Sequence, residues 1–191
     1  HWFELQPPDH FLLIEPDEEL RRILALEMQR AVTLPVKSCG LQDSQLADAL
    51  EGAIPVTLAG KEKIARRELS EGTELLVLQV SSVPASLAGW MPAPSGILLG
   101  VASRWPGFLK MGRTMLVAAG FPADSLLFRD ARKANWQRGL KEAAAVVCDA
   151  ATASELPKTF RVVQFPLISE ASLTELRRYE EFIHRPLVPS K

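Results

Sequence analysis

Short continuous apolar runs alternate with stretches of helical period along the chain. Phe11-Leu12-Leu13-Ile14 is such a run, as expected of a strand covered on both faces. Glu15-Pro16-Asp17 follows, with Asp17 placed to cap a helix whose first turn carries Glu18 and Glu19. Leu20, Ile23, Leu24, Met28 and Ala31 then recur at helical spacing, with arginines on the other face. The same reading gives a strand at 35–38, a helix at 43–51, a strand at 54–58, a helix at 61–69 and a strand at 74–80. Pro55 places the third of these strands near a sheet edge or a strand start. Four strands alternating with three helices predict a parallel sheet covered by helices.

A break in pattern follows. Residues 81–96 hold prolines and glycines without helical or strand period, which predicts a crossing between two lobes. The cycle then restarts, with strands at 97–102, 125–129, 144–148 and 160–165. Helices are expected from Pro106 to Gly120 and over 135–142, with a short helical turn at 152–156. Ser172 with Glu175 three residues later reads as a capping box opening a last helix that runs to about Ile183. The predicted organisation is an α/β chain of two similar parallel-sheet lobes with a cleft between them. Lobe 1 spans 1–82, a proline-rich crossover 83–96, lobe 2 97–168, and a C-terminal helix and tail 169–191.

Composition adds exclusions. Of 191 residues, 47% are hydrophobic and 24% charged, in the globular range, and the net charge of −1 gives no global attraction to nucleic acid or anionic lipid. No apolar run approaches the roughly 20 residues that span a bilayer, so no membrane partner is expected. Cys39 and Cys148 are the only cysteines and fit neither a metal motif nor a disulfide scaffold, which predicts two core thiols in a reduced, cytoplasmic setting. The start His1-Trp2-Phe3-Glu4 carries no basic-then-apolar leader and predicts a fragment with more chain upstream.

Motifs for common chemistries do not occur. Neither lobe has a Gly-x-Gly-x-x-Gly after its first strand, and there is no phosphate loop of the Gly-Lys-Ser/Thr kind and no Gly-x-Ser-x-Gly elbow. His1, His10 and His184 lie near the termini, where packing or surface roles are expected. No catalytic residue, cofactor or metal is therefore assigned.

In open parallel sheets, ligands bind at the carboxyl ends of the strands. Those ends supply Glu15, Asp17, Ser38, Cys39, Gly60, Lys61, Ser81 and Ser82 in the first lobe. The second supplies Ser103, Arg104, Trp105, Arg129, Asp130, Asp149, Thr152 and Ser169. Charge narrows the choice. Residues 1–31 carry seven acids against three bases, whereas 104–141 carry eight bases against two acids. Arg104 and Arg129 each follow a strand of the basic lobe, and arginine suits bidentate recognition of carboxylate or phosphate. The predicted ligand-binding set is Ser38, Ser82, Ser103, Arg104, Arg129 and Asp149, around a small polar or anionic effector.

Two resemblances bear on function. Residues 11–22 (Phe-Leu-Leu-Ile-Glu-Pro-Asp-Glu-Glu-Leu-Arg-Arg) resemble the opening of a phosphoacceptor receiver domain, with Ser81 or Ser82 at the hydroxyl position. The third strand departs from it, ending Leu58-Ala59-Gly60-Lys61 without the Asp that accepts phosphate. The second rests on Ile97-Leu98-Leu99-Gly100-Val101-Ala102-Ser103-Arg104-Trp105-Pro106, with Val146-Val147-Cys148-Asp149 later. These are similar to C-terminal effector domains of GntR-type bacterial transcription regulators, of periplasmic-binding-protein-like build. That resemblance implies a small effector in the cleft, a dimer, and a winged-helix DNA-binding part preceding His1, with residues 1–8 as the tail of a linker. Two other classes stay open: a small-molecule enzyme using the same cleft, and a receiver-like interaction module without a phosphoacceptor.

Overall fold

The computed structural model describes residues 7–41, 44–82 and 95–184. The chain divides into two compact units, one drawn from His1–Val80 and Ile168–Lys191, the other from Ser81–Leu167. Each is an α/β unit on a four-stranded, all-parallel sheet.

In the first unit, β1 (His10–Ile14), β2 (Val36–Cys39), β3 (Ala53–Leu58) and β4 (Leu76–Leu78) lie in the order β2-β1-β3-β4. All five residues of β1 are buried, as its apolar run requires. Leu12 pairs with Lys37 on one side and Pro55 on the other. Helix α1 (Glu18–Ala31) follows β1, capped by Asp17, whose carboxylate accepts from the Leu20 amide at 3.1 Å. It buries Leu20, Ile23, Leu24 and Met28. A short helix α2 (Leu46–Ala49) and α3 (Glu62–Glu68) complete the crossovers, a 3-10 turn over Ala59–Lys61 leading into α3. Leu12 and Ile14 pack with Cys39, Leu46, Ala65 and Leu75 in one core layer, and side-chain alternation sends Phe11 and Leu13 to the opposite face.

β3 is an inner strand, so of the two places Pro55 allows, a sheet edge or a strand start, the edge does not hold. Its ladder to β4 begins only at Val56, one residue after the proline. The missing amide of Pro55 thus falls at the margin of that ladder.

In the second unit, β5 (Leu99–Ser103), β6 (Leu126–Asp130), β7 (Ala145–Cys148) and β8 (Val162–Gln164) take the order β6-β5-β7-β8, the same permutation as in the first. Helix α4 (Pro106–Ala118) starts with its proline in the first turn and buries Phe108, Gly112 and Leu116. Phe108 meets Phe165 edge-on, with ring centroids 5.9 Å apart. A side chain at Gly100 would come within 2.8 Å of Leu140, so β5 packs closely only because that residue is glycine. Helix α5 (Ala150–Glu155) is capped by Asp149.

Two expectations fail locally. No helix forms over 135–142: Asn135 has φ +55° and Gly139 φ +83°, and left-handed residues interrupt helical hydrogen bonding. Only a 3-10 turn at Leu140–Glu142 remains, with Leu140 fully buried. The last helix, α6 (Glu170–Ile183), is capped by Ser169, whose hydroxyl accepts from the Ser172 amide at 3.2 Å. Ser172 lies inside the first turn, and its own hydroxyl accepts from the Gln79 amide at 2.9 Å.

Helix α6 belongs to the first unit and is held there by polar contacts. Glu180 accepts from the Thr33 amide (2.9 Å), the Thr33 hydroxyl (2.7 Å) and the Leu34 amide, all just beyond the end of α1. Glu27 of α1 accepts from the Ile168 amide at 2.9 Å, and Val80 forms an antiparallel bridge with Ile168. The residues expected to cross between lobes fall mostly at 83–94, outside the described residues, as do residues 1–6 of the expected linker. Among the described residues, no helix is long and apolar enough to cross a membrane.

Candidate functional site

The shared strand order defines one place per unit where a ligand site is expected. Successive strands run outward in opposite directions from β1 and β3, and likewise from β5 and β7. At such a switch point the loops beyond the strand ends part and leave a crevice. In the first unit the flanking residues are Glu15, directly after β1, and the Ala59–Lys61 turn, directly after β3. In the second they are Ser103, the last residue of β5, and Asp149, directly after β7.

The second switch point is filled by its own side chains. Ser103 donates its hydroxyl proton to Asp149 Oδ2 at 2.6 Å and accepts from the Trp105 amide at 3.0 Å. Thr152 donates to Asp149 twice, from its amide to Oδ1 and from its hydroxyl to Oδ2, both at 2.8 Å. Ser103, Asp149 and Thr152 are all fully buried. The two predicted ligand residues that the structure brings together thus hold each other and cap α5.

The predicted arginines reach neighbouring backbone. Arg129 donates from Nε to the Arg138 carbonyl and from Nη1 to the Phe128 carbonyl, both at 2.9 Å, so it braces the 135–139 turn. Arg104 lies half-buried with Nη1 3.4 Å from the Ala131 carbonyl. Asp130 pairs with Arg132 instead, in a bidentate contact at 2.9 and 2.7 Å. The Arg132 hydrogen bond holds that carboxyl at about 2. Ser38 is exposed at the end of β2, and Ser82 is exposed in the second unit.

The first switch point is built differently. Glu15 is fully buried, and its Oε1 accepts from the Asp17 amide at 3.0 Å. Its Oε2, also buried, has no hydrogen-bond partner among the described residues. Several contacts fix the surrounding backbone. The Glu15 amide donates to the Cys39 carbonyl at 3.1 Å, Arg21 Nη1 donates to the Glu15 carbonyl at 2.8 Å, and the Thr57 hydroxyl donates to the Ile14 carbonyl at 3.0 Å. Gly40 makes room for Arg21, because a Cβ there would stand 3.1 Å from Nη1. Burial pushes the Glu15 carboxyl above its usual 4.5, against the amide of Asp17 and the charges of Lys61 and Arg21. The site lies just under the surface: Pro16, Asp17 and Gly60 are exposed, and nothing stands within 4 Å of a Cβ built on Gly60.

Glu15 was among the strand-end residues visible in the sequence, but Arg21 and Thr57 were not. The available signal was register: a carboxylate continuing an unbroken buried run lands in the core plane. Among the described residues no group of three or more His, Cys, Asp or Glu is placed to hold a metal ion. Comparison of the chain with protein families, curated proteins and solved structures gives no match.

Proposed function

We propose that this chain is the small-molecule effector-sensing domain of a bacterial transcription regulator, acting as a homodimer, with DNA binding supplied by a winged-helix domain elsewhere in the full protein. The observation that carries the sensing part is Glu15. It is a buried carboxylate at a sheet switch point, with one oxygen unpartnered among the described residues and its backbone braced by Arg21 and Thr57. A buried polar atom without a partner costs about 1–3 kcal/mol, more when charged, and a ligand that supplies the partner recovers that cost. Binding without turnover fits the remaining chemistry. Burial, and then the charge of Asp149, push the Cys148 thiol up to about 12, so it stays a poor nucleophile. Cys39 is buried, and the Ser103 hydroxyl is spent on Asp149.

The test is a thermal-shift screen of sugars, amines, carboxylates and phosphates, followed by calorimetry on the hits and mass spectrometry for conversion. A chemically related set that binds saturably and is recovered unchanged supports sensing. Conversion of a hit, or no saturable binder in the set, contradicts it.

A further inference from the structure

Resting on the sensing reading, we propose that the first unit's switch point is an ammonium subsite, in which Glu15 Oε2 takes a charge-assisted hydrogen bond from a protonated amine of the ligand.

Elimination among ligand classes leads there. An anion would meet Glu15, Asp17 and the Glu18 and Glu19 of the first turn of α1. A divalent metal would lack ligands, because among the described residues no group of three or more His, Cys, Asp or Glu is placed to hold one. A neutral hydroxyl would complete the hydrogen bond but bring no charge to a buried carboxylate that Lys61 and Arg21 reach only through space. An ammonium supplies both a donor and a charge. The protein's own cations do not fill this role: Arg21 Nη1 is bonded to the Glu15 carbonyl, and Lys61 is near enough to be felt by the carboxylate without bonding to Oε2. Gly60, in the facing turn after β3, is exposed, and the space its side chain would occupy is open.

The experiment is amide NMR of this chain titrated with methylammonium and ethanolamine, against sodium chloride and glycerol at matched concentration. Saturable shifts at Asp17, Glu18 and Gly60 with the two amines alone support the subsite. Glu15→Gln keeps the shape and should weaken the amine response at least tenfold. Gly60→Leu should weaken it without altering the fold. Lys61→Met, by removing a competing charge, should tighten it. Equal shifts from sodium chloride, shifts from glycerol as strong as those from the amines, an unchanged response in Glu15→Gln, or loss of the response in Lys61→Met each overturn it. The two readings separate cleanly. An effector whose affinity ignores Glu15→Gln leaves sensing standing and removes the subsite. Saturable amine binding with no larger effector leaves the subsite and removes sensing.

Discussion

At the carboxyl end of β1, Glu15 has one oxygen on the Asp17 amide and one without a partner among the described residues; at the carboxyl end of β7, Asp149 has both oxygens filled by Ser103 and Thr152. The strand permutations that place these residues are identical. Both carboxylates are fully buried and both stand beside the start of a helix. The difference lies in partners. In the second unit, serine and threonine hydroxyls answer the carboxylate, turning a potential site into a structural clasp. In the first, the facing turn is Ala59-Gly60-Lys61, which offers no short hydroxyl. Topology states where a site can be, and hydrogen-bond accounting states whether the protein has already used it.

The largest expected effect is at the clasp. Asp149→Ala removes the α5 cap and strands the hydroxyls of Ser103 and Thr152. It should cost about 3 kcal/mol in urea denaturation, the sum expected for a lost cap and unmade buried bonds. A loss below about 1 kcal/mol would mean the clasp is not closed, and the contrast between the units would fail. Next is Glu180→Ala, which leaves the amides of Thr33 and Leu34 and the Thr33 hydroxyl without their acceptor. About 2 kcal/mol is expected, on the ground that among the described residues of the first unit the buried carboxylates other than Glu15 are satisfied. The pH dependence sharpens this. Burial raises the Glu180 carboxyl, but bonds from Thr33 and Leu34 outweigh it and hold it below 4.5. Its folded value is depressed, so its contribution is present above pH 4.5 and is lost as pH falls through that folded value.

Glu15 runs the other way. Its folded value lies above 4.5, so the folded state keeps the proton longer than the unfolded chain does, and stability falls as pH rises through the window above 4.5. Glu15→Gln does not titrate. Between pH 4 and pH 7 its stability should therefore gain on the parent, the direction set by the raised carboxyl of Glu15. A difference independent of pH would remove the contrast with Glu180. The smallest effect compares two glycines. Gly60→Ala should stay within about 0.5 kcal/mol of the parent, as at an unhindered surface position. Gly100→Ala, facing Leu140 at 2.8 Å, should cost about 1–2 kcal/mol by thermal denaturation.

Much of the architecture was legible because apolar runs and helical periods report burial directly. Phe11–Ile14 and Val146–Cys148 are strands for the reason the pattern gives. The helix expected over 135–142 was lost to backbone conformation: Trp136 and Leu140 are spaced as on a helix, yet Asn135 and Gly139 adopt left-handed φ and turn the chain instead. At the cap of α6, Ser169 and Ser172 have the same chemistry three residues apart, and the tertiary partner Gln79 decides which one serves as cap. Candidate residues were legible by position alone. What separates Ser103 and Asp149 from Glu15 is which long-range hydroxyls reach them, 46 residues apart in the Ser103–Asp149 pair, and no local pattern encodes that.

Carbon-13 NMR of the Glu15 side-chain carboxyl, followed from pH 3 to pH 9 in the whole chain, tests the open switch point most directly. A midpoint above 4.5 is expected, falling when methylammonium is added, because the amine favours the ionised form. A midpoint at or below 4.5 in the free protein, indifferent to the amine, would mean that Glu15 already has its partner, and would contradict it.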